Sequence, residues 1–185
     1  YSAIKMIPQQ DGEWFQTHTA LGELFHAELF PGKENSGKLV TLVKQRARLW
    51  AADAGIPLII IDGPPGIGCP VISACAGADL GIIVTEPTIA GIFDLKRIYQ
   101  TLKHFKVPSV LCINKADIYP KGADEIRDFA RKEGIEIGGE IPYDNHIPMA
   151  LSQGEIITSA FPDALSSIAI KRLWRKLALQ YFQTG

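Results

Sequence analysis

An excess of basic residues is missing from this sequence: 19 Lys and Arg stand against 20 Asp and Glu, for a formal net charge of -1. A general electrostatic nucleic-acid binder carries a strong positive excess or stripe, so that class is excluded. Long apolar runs are missing too, and none reaches the ~18 residues that a membrane span needs. The first residues lack the charged start, apolar middle and cleavage pattern of a signal peptide. The expectation is a cytoplasmic protein with no membrane span. Cysteine is scarce, and Cys69, Cys75 and Cys112 include no CxxC pair. Neither a disulfide framework nor a zinc knuckle follows from three scattered thiols. His18, His26, His104 and His146 show no ligand spacing. No initiator Met precedes Tyr1, which is the pattern of a truncated or processed polypeptide.

What is present is a globular composition. Hydrophobic residues make up 46% and charged residues 21% of 185, enough chain to bury roughly two-thirds of its unfolded surface around one core. A single domain over 1–185 is the expectation. From residue 57 onward, short aliphatic runs alternate with helical patterns, the signature of βα units around a parallel sheet. Strands are predicted over 57–62, 80–85, 109–114 and, more weakly, 135–141. The first three are continuous apolar runs, as expected of strands covered on both faces. Helices are predicted over 70–78, 92–105, 123–133 and 162–182. An earlier helix carries Leu39, Val43, Ala47, Trp50 and Ala54 and stops at Gly55. Residues 1–30 differ: polar and apolar residues alternate, with turn signals at Asp11-Gly12 and Pro31-Gly32, which predicts antiparallel strands.

The most informative stretch is Ile61-Asp62-Gly63-Pro64-Pro65-Gly66. A carboxylate at the carboxyl end of a buried strand, followed by a stiff Gly/Pro turn, is where open α/β sheets place ligand chemistry. Asp62 is suited to hold a Mg²⁺-bound water, and the Gly66 N–H can approach a terminal phosphate because no Cβ stands in the way. The alternative is a polar strand end with a tight loop.

Asp62-Gly63-Pro64-Pro65-Gly66, Val84-Thr85-Glu86-Pro87 and Ile113-Asn114-Lys115-Ala116-Asp117, in that order, resemble the MinD/ParA/Mrp group of P-loop ATPases. The longer strings GIGCPVISACAGADL and VTEPTIAGIFDL look most like the branch of that superfamily with an inserted ferredoxin-like domain. The resemblance runs over about 25–158. It implies an α/β fold with a mainly parallel sheet and flanking helices. The family's first strand, its lysine-bearing phosphate loop (Walker A) and its cysteine-rich insert match nothing in 1–185. The resemblance therefore makes the chain the carboxyl two-thirds of such an ATPase, with 1–30 adjoining the insert and any iron–sulfur cluster held upstream.

The function so implied is binding and slow hydrolysis of Mg·ATP, with nucleotide state coupled to homodimerisation or to an iron–sulfur or redox partner. Asp62 would place Mg²⁺ through water, Gly66 would sense the γ-phosphate, and Asn114 with Pro142, Tyr143 and Asp144 would hold the adenine. Asn114-Lys115-Ala116-Asp117 also fits NKxD, the guanine-reading sequence of many GTPases, and taken alone it favours GTP. The resemblance favours ATP.

Two further patterns compete. Gly32 to Lys38 fits GxxxxGK, but Leu39 replaces the Mg²⁺-ligating hydroxyl, and the resemblance puts this stretch at a helix start capped by Asn35 or Ser36. Gly66-x-Gly68-x-x-Val71, with Glu86 beyond, imitates a dinucleotide fingerprint, against which Asp62 would face the pyrophosphate and Val71 replaces the third glycine. A different class is a non-catalytic assembly module. Cys75 and Cys112 read as small core residues, and Cys69 stands beside the turn that carries Asp62 and Gly66.

Overall fold

The computed structural model describes residues 10–33, 37–64, 66 and 68–182. They fall into two compact units, divided between Ala76 and Gly77.

The first unit opens with an antiparallel hairpin of β1 (Gly12–Thr19) and β2 (Gly22–Leu29), paired from Gly12↔Leu29 to Thr19↔Gly22. The hairpin turns at Ala20 and Leu21. The two predicted turn signals sit at its open end instead, where Phe30 N–H donates to the Asp11 carbonyl and Lys33 N–H to the Phe30 carbonyl. Helix α1 (Lys38–Ala54) follows. It stops where expected, because Gly55 adopts the left-handed conformation (φ 66°) and its N–H caps Ala51 and Ala52. At its start the N-cap position is Gly37 (φ 78°); Asn35 and Ser36 lie outside the described residues.

Helix α2 (Cys69–Cys75) packs against α1. The packing is close enough to define a residue: a Cβ on Gly37 would stand 2.5 Å from Ser73 Oγ and 2.9 Å from the Cys69 carbonyl oxygen. The second glycine of the GxxxxGK pattern, Gly37, is thus fitted against α2. Under the helix pair lies Lys44, which is buried. Its ammonium donates to the carbonyls of Ser73 (2.7 Å), Ala74 (2.9 Å) and Ala76 (2.7 Å), the open end of α2. Burial, and then the charge of Arg48, push its pKa down.

The predicted strand over 57–62 is not a strand. Ile59 and Ile60 are exposed, Ile60 by 79%. A continuous apolar run signals an expected neighbour on each side, but a strand exists only as part of a ladder, and no described residue pairs with this segment.

The second unit is a three-stranded parallel sheet in the order β3-β4-β5. β3 is Gly81–Thr85, β4 is Ser109–Asn114 and β5 is Glu136–Ile141. Between them run α3 (Ile89–His104) and α4 (Pro120–Glu133). β4 is the centre: Val110, Leu111, Cys112 and Ile113 are fully buried, which is why their run is uninterrupted. Along α3, Ile92, Leu95 and Leu102 reach the core, while Phe105 at its end is exposed. Thr88 caps α3 by accepting the Gly91 N–H.

β5 carries a bulge. Leu111 pairs with Ile137 and Cys112 with Gly139, leaving Gly138 as the extra residue. A Cβ there would lie 2.5 Å from Val110 Cγ1 and 2.9 Å from Leu173 Cδ1, so only glycine fits. The bulge reverses the side-chain alternation. Glu136, opposite Val110, meets Lys176 (2.8 Å) of α7 (Leu165–Tyr181), whereas Glu140, opposite Ile113, meets Arg127 (2.7 Å) of α4.

Short helices α5 (His146–Ser152) and α6 (Ile157–Ala160) precede α7. The apolar residues of α7 do not all reach the core. Leu177 is buried, but Leu165 (69%) and Trp174 (46%) are exposed, and Ser166 and Ser167 are fully buried. Polar satisfaction outweighs hydropathy here, because both hydroxyls have partners: Ser166 donates to Asp144 and Ser167 to the Ile157 carbonyl. Among the described residues no helix is long and apolar enough to cross a membrane.

Candidate nucleotide site

In the first unit, Asp62 and Gly66 lie in the segment leading to α2, and both are exposed. Gly66 has φ 86°, and nothing lies within 4 Å of where its Cβ would be. The backbone at Gly66 is therefore reserved for glycine by conformation, and the space beside it is open to a ligand. That fits a phosphate approached by a main-chain N–H, with Asp62 as the neighbouring carboxylate. Pro65 and Ile67 lie outside the described residues. Val71, the third position of the dinucleotide pattern, is buried in α2.

The second unit brings Asn114, Pro142, Tyr143 and Asp144 together. Asn114 is the last residue of β4 and pairs with Ile141, the last residue of β5, so the parallel ladder sets the two strand ends side by side. Lys115 then turns the chain with φ 51°, an uncommon conformation for a non-glycine residue. The turn is secured by Asn114 itself, whose Oδ1 accepts the Lys115 N–H at 3.1 Å. With that oxygen facing its own backbone, the amide NH₂ is left to donate outward. Two bonds then tie this loop to the strip after β5: Ala116 N–H to the Ile141 carbonyl at 3.0 Å, and Tyr143 N–H to Asp117 Oδ1 at 2.7 Å. Lys115 Nζ pairs with Glu86 Oε1 at 2.7 Å, at the end of β3.

Asp144 behaves differently from its neighbours. Its carboxylate accepts from His146 N (2.9 Å), His146 Nδ1 (2.7 Å), Ser166 N (3.2 Å) and Ser166 Oγ (2.8 Å). It thus clasps the starts of α5 and α7, and what it offers a ligand is its backbone. The His146 amide first, and then the Ser166 hydroxyl, hold its pKa well below the usual carboxylate range. A folded-state pKa below the unfolded one adds stability that is complete above the unfolded value and is lost as pH falls. The melting temperature is expected to stay level down to about pH 5 and to decline below about pH 4. The same titration on Asp144→Asn should show a lower starting point and a shallower acid decline; an unchanged acid slope would rule the clasp out as its source.

Beside the strip is a cavity of ≈ 380 Å³ lined by Ala116, Asp117, Pro120, Arg127, Glu140 and Pro142. Its charged groups are already paired. Arg127 forks onto Glu140 (2.8 and 2.7 Å), which lowers the Glu140 pKa, and it also reaches Asp124 at 2.7 Å. Cys69 is exposed, Cys75 half-buried and Cys112 buried, and burial pushes the Cys112 thiol up to about 11. Among the described residues no group of three or more His, Cys, Asp and Glu is arranged to hold a metal ion.

No family model matches the chain. An uncharacterised protein of Methanocaldococcus jannaschii is 32% identical over 154 residues, covering 83% of this chain and 50% of that protein. A protein of Oltmannsiellopsis viridis named for septum-site determination, MinD, is 33% identical over 127 residues, covering 66% of this chain and 40% of that one. The chain thus spans about half the length of these curated relatives, or less. The solved MinD of Pyrococcus horikoshii, complexed with Mg-ADP, superposes with a TM-score of 0.61 at 20% identity, over 79% of this chain and 57% of that one. This chain is a MinD-like P-loop ATPase relative. At 25% identity over 121 residues, the MinD-like chain also matches an iron–sulfur cluster carrier protein of Aquifex aeolicus, covering 59% of the chain and 33% of that protein. The α/β class and the parallel sheet expected for the MinD-like fold are both present.

Sequence reasoning missed the pairing of Lys115 with Glu86 and that of Asp117 with Tyr143. Neither has a local signal: the second joins residues 26 apart that only the ladder of β4 and β5 makes neighbours.

Proposed function

We propose that this chain is the nucleotide-sensing part of a MinD-like ATPase that binds and slowly hydrolyses Mg·ATP. The observation that carries the reading is the pairing of Asn114 with Ile141 at two adjacent strand ends, which sets Asn114 beside the start of the 142–144 strip, the place where open α/β sheets bind ligands. In this reading the Asn114 amide donates to a ring nitrogen of adenine, and backbone groups of the 142–144 strip accept from its amino group. Asp62 places Mg²⁺ through a bound water. Gly66 offers its N–H to the γ-phosphate, in the open space described above. Catalysis is then mostly positioning of the attacking water and stabilisation of charge, the usual division of labour in phosphoryl transfer.

Nucleotide state is further proposed to be coupled to homodimerisation or to an iron–sulfur partner. Support for the first is Ile89 and Phe93, one helical turn apart on α3 and exposed by 88% and 57%. Support for the second is the likeness to the cluster carrier protein.

Calorimetry on the intact protein tests the base site. ATP is expected to bind more tightly than GTP, and Asn114→Ala to weaken ATP binding by about tenfold or more, the cost of an unpaired buried partner. Equal ATP affinity in Asn114→Ala would remove this strand end from the nucleotide site.

A further inference from the structure

Asp117 closes the Asn114-Lys115-Ala116-Asp117 run, whose guanine-reading version uses this carboxylate on the base. Here its Oδ1 takes the Tyr143 N–H at 2.7 Å, the length of a charge-assisted bond. Pro142 has no N–H to offer, so after Ile141 the Tyr143 amide is the first main-chain donor by which the strip can be held. The loop and the strip are joined at Ala116–Ile141 and at Asp117–Tyr143, with Pro142 suspended between.

We propose, resting on the nucleotide reading above, that Asp117 is a positioning residue that fixes the 142–144 strip for adenine and, being so engaged, does not read guanine. Guanine recognition by this motif needs both carboxylate oxygens turned to the base edge and the lysine lying over the ring. Neither group is placed for that: one oxygen of Asp117 is on Tyr143, and Lys115 Nζ is on Glu86 at 2.7 Å. Adenine presents ring-nitrogen acceptors along the edge in question, which an untethered carboxylate would repel. Tethering Oδ1 of Asp117 to a backbone N–H lessens that repulsion and holds the strip's own carbonyls in place for the adenine amino group.

Two variants and two readouts test this on the intact protein. In Asp117→Ala the Tyr143 amide should lose its hydrogen-exchange protection, and ATP affinity should fall about tenfold, as expected for one lost charge-assisted bond, with GTP affinity unchanged. In Asp117→Asn the side-chain oxygen still accepts the same N–H, so protection and ATP affinity should return to near the wild-type values. Asp117 is exposed, and a melting temperature unchanged in both variants would assign the loss to positioning. If the wild type binds ATP and Asp117→Ala binds it equally well, the positioning role is refuted and the ATP reading stands. Wild-type preference for GTP, lost in both variants, would mean that Asp117 reads the base, and it overturns the proposal. Should the wild type bind no nucleotide, the parent reading falls and takes this one with it.

Discussion

Asp62→Ala in the intact protein should abolish ATP turnover, by at least about a hundredfold, while nucleotide affinity stays within about threefold. The carboxylate is proposed to place Mg²⁺ and its water for the chemical step, whereas ground-state affinity comes from the phosphate cradle and the base strip. Those contributions separate experimentally, because removing an interaction made mainly in the transition state lowers the rate and leaves binding. The exposure of Asp62 sharpens the test. An exposed side chain away from a structural feature changes stability by about half a kcal/mol or less, so the melting temperature should not move. Turnover, affinity and melting temperature falling together would make Asp62 a structural residue of its loop. Unchanged turnover would take it out of the mechanism.

Lys44→Met should destabilise the first unit by about 2–4 kcal/mol. The substitution keeps an unbranched apolar stem out to Cε and removes the ammonium. Each buried carbonyl left without a donor costs about 1–3 kcal/mol, less where water can reach it, and Lys44 serves three. Lys44→Arg is expected to fall between, because a planar fork does not converge on three oxygens as a compact ammonium does. Urea melts would measure the loss, and hydrogen exchange would show it first in α2. A change below about half a kcal/mol in Lys44→Met would mean that the end of α2 is satisfied by water.

Legibility from the sequence followed the range of the interactions concerned. The run 109–114 was readable because β4 is covered on both faces, and burial is written directly into its residues. The helix ending at Ala54 was readable because a glycine cap is a local signal. The segment 57–62 has the same apolar character as β4, yet whether it forms a strand depends on a neighbour that composition does not specify. Lys44 was invisible as a core residue, since a lysine on a helix reads as solvent-facing until three carbonyls from another helix surround it. The burial of Ser166 and Ser167 is hidden from the sequence for a related reason: it rests on Asp144 and the Ile157 carbonyl rather than on hydropathy. At the candidate site, Asn114 was legible as a strand-end residue, and Asp144 was legible only in position. Its side chain proved to be a clasp on two helices, a role set by contacts with His146 and Ser166 that no spacing announces.

The bulge at Gly138 bears on how this chain is compared with its relatives. A homologue whose equivalent of β5 runs without an extra residue reaches the end of its strand one position sooner. Superimposing the two by residue count from the start of β5 then sets Tyr143 against the homologue's counterpart of Asp144, and the amide that Asp117 holds becomes the partner of the wrong residue. Transferring base-site assignments between such proteins, or grafting one strip onto the other, requires a gap opened at Gly138. Glycine at that point, with an acidic residue two positions to either side, is the mark by which the offset can be sought in a sequence.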